Sequence, residues 1–161
     1  MSIERIRIFE EGFSQIKDSL NELLLSGDCR SALLIDRDGR VITQAGELGE
    51  LDISSFATLS AADFAATNQL ASLLGEKEFS TLYHQGEKVN VYFSLITGGI
   101  ILVVIFDERT TLGMVRIKVR KTSAELSRLL EGFFKKGREK PEKVPEEFTK
   151  EAEVEIEKFF E

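Results

Sequence analysis

The sequence predicts an α+β domain in which helices cover a five-stranded antiparallel sheet. Three observations carry that reading. Two long stretches with apolar residues at helical spacing stand near the two ends, and an Ala/Leu-rich stretch free of Gly and Pro lies between them. The remaining apolar segments are short and separated by turn residues, as antiparallel strands require.

The first helix is read from Phe9, Phe13, Ile16, Leu20, Leu23 and Leu24, with charged and polar residues between them, and it ends near Ser26-Gly27, where glycine accepts a left-handed cap. SALLID and RVITQA flank Arg37-Asp38-Gly39 and spell a hairpin. A Gly/Glu-rich loop follows, and Ser54 to Leu74 forms a second helix that stops at Gly75. Phe79 to His84, Val89 to Leu95 and Ile100 to Phe106 are three strands of a meander. The last, IILVVIF, is apolar throughout and belongs at the centre of the sheet, covered on both faces.

From Leu112, VRIKV alternates like a strand. Leu112, Val115, Val119, Thr122, Leu126, Leu129 and Phe133 continue a 3,4 spacing much further, which predicts a third helix over 111–135. KKGREKPEKVPEE then holds both prolines of the chain. The expected organisation is a domain over 1–136, a charged linker over 137–145 and an amphipathic acidic tail over 146–161, too short to fold alone but able to dock.

A length of 161 residues suits one domain with an appendage, and a net charge of −7 with scattered Lys and Arg argues against nucleic acid as a partner. The single cysteine, Cys29, forms no intramolecular disulfide, and no secretory signal or membrane-length apolar run is visible, so the chain is expected in the cytoplasm without membrane insertion. The run Ile100 to Phe106 is the longest apolar one.

Catalytic signatures are missing. There is no phosphate-cradling G-x-x-x-x-G-K-[ST], no G-x-S-x-G, and only His84 and Cys29 to serve a metal site, so no cofactor, metal or enzymatic activity is expected. His84 reads as an ordinary strand-end or interface residue. Helix two carries a recognition feature: Phe56, Leu59, Ala66, Leu70 and Leu73 share one face, and Ala57, Ala61, Ala65, Asn68 and Ser72 share the other. The small, flat second face suits close contact with another chain. Asp63, near the apolar face, would need a hydrogen-bond partner if buried. Arg116, Lys118, Arg120, Lys121 and Arg128 decorate helix three, opposite in sign to the tail, so the tail has two destinations open to it: helix three or a partner.

ALLIDRDG at 32–39, LASLLGEKEF at 70–79, HQGEK at 84–88 and VVIFDERTTLGMVRIKVRK at 103–121 resemble strings of a bacterial branch of the Roadblock family, and the match covers about Phe9 to Phe134. The resemblance implies the Roadblock fold and a homodimer whose second helices pack together and whose third strands meet, with Phe64, Phe79, Leu82 and Tyr83 at the seam. It implies one partner per dimer, an MglA-like small Ras-like GTPase, bound at Ala61, Ala65, Asn68, Gln69 and Ser72. Phe148, Ile156, Phe159 and Phe160 of the tail would anchor on a second GTPase surface and influence nucleotide exchange.

Arg37, Arg40 and Arg109 stand in or beside loops as candidate arginine fingers. The resemblance implies instead a GTPase activator without a finger, which repositions the partner's own catalytic groups, in cell polarity or gliding motility and with recruitment to a cell pole. Two other readings share the chain: a Roadblock scaffold that binds a GTPase or motor component without stimulating hydrolysis, and a small ligand-sensing domain of PAS or profilin-like shape. Dense filling of the strands by Leu, Ile, Val and Phe argues against the pocket that the last one needs.

Overall fold

In the computed structural model, residues 3–138 and Ile156 are described. The elements run α1 (Ile3–Gly27), β1 (Ser31–Ile35), β2 (Val41–Gly46), α2 (Ile53–Leu73), β3 (Thr81–Gln85), β4 (Asn90–Leu95), β5 (Ile101–Phe106) and α3 (Leu112–Arg138), with a 3-10 turn at Thr97–Gly99. The five strands form one antiparallel sheet in the order β2-β1-β5-β4-β3. The predicted α+β class, element order and central position of IILVVIF are all present.

Alternation along the strands sorts the core into two layers. Ala32, Leu34, Leu102, Val104 and Phe106 face α1 and α3, whereas Leu33, Ile35, Ile101, Val103 and Ile105 face α2. Both β1 and β5 are therefore buried on both faces, which is why neither shows a polar alternation. The helix pair on the first face is set close by Gly12, where an added Cβ would lie 3.1 Å from the Phe133 ring.

On α3, Val115, Val119, Thr122, Leu126 and Leu130 are buried, while Leu129 and Phe133 are half-buried. The seam follows the 3.6-residue turn of a straight helix, so a strict seven-residue repeat drifts off it in the third heptad, where Leu130 takes the buried place of Leu129. α1 begins at Ile3, earlier than Phe9, because neither glycine nor proline stops the helix between 3 and 11. α3 runs through Gly137 to Arg138, two residues into the expected linker. The rest of that linker and the tail, with Phe148, Phe159 and Phe160, lie outside the described residues. Ile156 is helical and half-buried.

β3 begins at Thr81 and not at Phe79. The Phe79 N–H donates to Asn68 Oδ1 at 3.2 Å, which takes it out of the ladder.

Candidate functional site

α2 starts at a built cap. Asp52 accepts from the Ser55 N–H at 3.2 Å and from Ser55 Oγ at 2.8 Å, and these bonds hold its carboxyl below the usual range. The helix then lies on the sheet along Ala57, Ala61, Phe64 and Ala71. The residues facing it there are Leu33, Ile35, Phe93, Val103 and Ile105, which are large. Small side chains on the helix match large ones on the strands, so the backbone sits close. Gly39 shows how close the neighbouring hairpin comes: its φ is +86°, and an added Cβ would be 2.7 Å from Thr58 Cα.

This seating turns α2 away from the expected division of its faces. The small-residue stripe was read as the outer surface, but its Ala57 and Ala61 lie on the core face, while Asn68 is half-buried and Ala65 and Ser72 are exposed. Leu59, Leu70 and Leu73, of the apolar face, are 69%, 58% and 84% exposed, and Leu74 beyond them is 74% exposed. The reason is volume: Phe93 and the branched residues of β1 and β5 already fill the space under the helix, leaving room for alanines.

The expected contact residues divide accordingly. Ala61 (4% exposed) and Phe64 (2% exposed), assigned to the GTPase and dimer surfaces, lie between α2 and the sheet, where they present no side chain to another molecule. Ala65, Gln69 and Ser72 are exposed, and Asn68 is half-buried through its bond to Phe79. Leu82 packs below α2, Tyr83 stacks on Phe106 from the opposite face with centroids 6.0 Å apart, and Phe79 is half-buried.

Two side-chain ties bind α2 to β3 and to the segment that leads into it. Besides Asn68 to Phe79, Asp63 Oδ2 meets His84 Nε2 at 2.5 Å, and the His84 ring stands edge-on to Phe93 at 5.9 Å. Asp63 thus has the partner that the sequence did not supply. Chain separation hides such a pair: Asp63 and His84 are 21 positions apart, and only the sheet register brings them together.

β3 pairs with β4 alone and forms one edge of the sheet. The Leu95 N–H donates to the Ser80 carbonyl, and the Gly86 N–H to the Val89 carbonyl. Antiparallel bonds alternate, so Leu82 and His84 are the ladder-bonded residues on β3, and the backbone groups of Thr81, Tyr83 and Gln85 point outward. An open strand edge thus adjoins the exposed leucine face of α2.

Of the three loop arginines, Arg37 Nη2 lies 3.1 Å from Glu78 Oε2. Arg109 makes a forked contact with Asp107 at 2.9 and 3.1 Å. The fork lowers the Asp107 pKa and raises that of Arg109. Both guanidiniums are engaged locally, while Arg40 is exposed. Among the described residues no group of His, Cys, Asp and Glu suits a metal ion, and no helix is long and apolar enough to cross a membrane.

The Roadblock/LC7 domain model matches residues 15–106. MglB of Myxococcus xanthus is similar at 37% identity, with a TM-score of 0.72, over 74% of this chain and 98% of that one. The gliding protein MglB of Thermus thermophilus is similar at 35% identity, with a TM-score of 0.72, over 75% of this chain and 92% of that one. A profilin of Acanthamoeba castellanii, 17% identical with a TM-score of 0.53 over 69% of this chain and 95% of that one, shares the fold alone. No curated protein sequence matches the chain.

Proposed function

We propose, from the premise that this chain belongs to the Roadblock/LC7 domain family and within it resembles the MglB proteins, that it is a homodimeric activator of an MglA-like small Ras-like GTPase. The observation that carries the reading is the pairing of an open β3 edge with a large uncovered apolar face on α2. Leucines exposed in a row on one helix mark a docking surface, since isolated soluble domains seldom leave such a patch in water.

In this proposal β3 pairs with β3 of a second copy, two α2 helices come side by side, and one GTPase rests on the combined surface. Ala65, Asn68, Gln69 and Ser72 border that surface, and Leu59, Leu70, Leu73 and Leu74 join them as apolar anchors. The chain supplies no catalytic group. With Arg37 and Arg109 held in ion pairs, activation proceeds by preferring the GTPase conformation in which the partner's own catalytic residues are assembled. The setting is cytoplasmic, in gliding motility or cell polarity, with recruitment to a cell pole, and Phe148, Ile156, Phe159 and Phe160 act on nucleotide exchange at a second GTPase surface.

Single-turnover GTP hydrolysis by the cognate GTPase tests this, with the full chain and with a version ending at Lys140. Acceleration on the order of tenfold or more by both forms is expected, below the roughly 10³–10⁵ of an inserted arginine. Tight binding without acceleration would leave a scaffold and overturn the activating role.

A further inference from the structure

We infer that the groove between α3 and the β3–β4 side of the sheet is a docking site for this chain's own acidic segment, residues 146–161. The groove has a volume of about 430 Å³ and is lined by Arg116 and Arg120 and by the hydroxyl-bearing residues Ser80, Thr81, Ser94 and Ser123. Tyr92 and Val119, both buried, form its floor.

Charge selects the occupant. Arg116, Lys118, Arg120, Lys121 and Arg128 make no ion pair with another described residue, whereas Arg37 and Arg109 both do. Segment 146–161 carries seven glutamates against two lysines, with Phe148, Val154, Ile156, Phe159 and Phe160 among them. Carboxylates can meet the two arginines and the hydroxyls of Ser80 and Thr81, since those of Ser94 and Ser123 already meet each other at 3.4 Å, while the apolar residues cover Ile117, which is 65% exposed.

Reach permits it. Arg120 lies 18 residues before the end of α3, a distance of about 27 Å along the helix. Residues 139–147 span up to about 30 Å when extended. The segment can therefore return along the helix it follows, and tethering keeps its local concentration high. A segment seated there is withheld from any other partner, so occupancy of the groove sets how much tail is available. This inference does not rest on the GTPase reading, and its test uses no GTPase.

Amide hydrogen exchange of the full chain alone, read by mass spectrometry, decides the matter. In low salt, amides of 146–161 should exchange about tenfold or more slowly than in the isolated peptide. In Arg116→Glu/Arg120→Glu the protection should vanish while α1, α2 and the sheet keep theirs. Combining that pair with Glu153→Arg, Glu155→Arg and Glu157→Arg should restore it. Peptide-like exchange in the wild type, or protection indifferent to the arginine pair, would overturn the assignment. So would failure of the charge swap to restore protection.

Discussion

Cys29 shows how burial sets a residue's chemistry. Its thiol donates to the Gly27 carbonyl at 3.6 Å, and burial pushes its pKa from 9.0 to about 11, with the charge of Asp28 adding to the effect. A thiol held neutral in the folded state favours folding below its unfolded pKa, and that contribution fades as pH climbs from about 9 towards 11. The native protein should therefore resist thiol reagents at pH 8 and react at once in denaturant; equal rates in the two states would show an exposed cysteine. Two glycines make a paired test. Gly46 (φ +90°) leaves only 2.4 Å between an added Cβ and the Arg30 carbonyl, whereas Gly49 (φ +53°) has open space. By chemical denaturation, Gly46→Ala should cost about 2–4 kcal/mol and Gly49→Ala about 1 kcal/mol, because only the first adds a clash to the strain. Similar losses at both positions would mean that the hairpin end yields.

Among the elements, α2 is where reading by type of residue went astray. Its existence and bounds follow from composition, from the Asp52 cap and from Gly75, all of which act locally. Its orientation does not. Ala57, Ala61, Phe64, Asn68 and Ala71 are spaced 4, 3, 4, 3, a sound core stripe whose residues are mostly small, while the leucines make the rival stripe that hydrophobicity alone prefers. The face that wins is set by side chains on β1, β4 and β5, between 18 and 32 positions from the nearer helix end in sequence, and no local rule weighs them. β5, by contrast, was legible because seven consecutive apolar residues leave no second arrangement open. Ala61→Leu should therefore destabilise the fold by about 1–3 kcal/mol through overpacking, and Leu73→Glu should change it by no more than about 0.5 kcal/mol. Thermal melts of the two variants check this. Their order would reverse if the leucine stripe faced the sheet. The proposed docking surface adds a second readout: Leu73→Glu, like Ala65→Arg and Gln69→Arg, should abolish GTPase capture while the protein stays folded, and normal binding by all three would move the surface elsewhere.

For the whole molecule, the proposed dimer turns on the β3 edge. Thr81, Tyr83 and Gln85 point their backbone groups outward, and the run is symmetric about Tyr83. A second copy related by a two-fold axis at Tyr83 would set Thr81 opposite Gln85 and Tyr83 opposite itself, so each outward N–H meets a carbonyl and the sheet doubles to ten strands without a loose end between the copies. Leu82 and His84 take no part in those bonds, because theirs already go to β4. A proline placed at Thr81 thus deletes an outward donor and leaves the β3–β4 ladder whole, whereas one placed at Leu82 breaks the ladder itself. Sedimentation equilibrium should find the wild type dimeric and Thr81→Pro shifted to monomer with its melting cooperativity kept. Leu82→Pro should lower thermal stability in addition. A Thr81→Pro protein that dimerises as tightly as the wild type would take the interface away from this edge, and a monomeric wild type would remove the dimer on which the combined α2 surface depends.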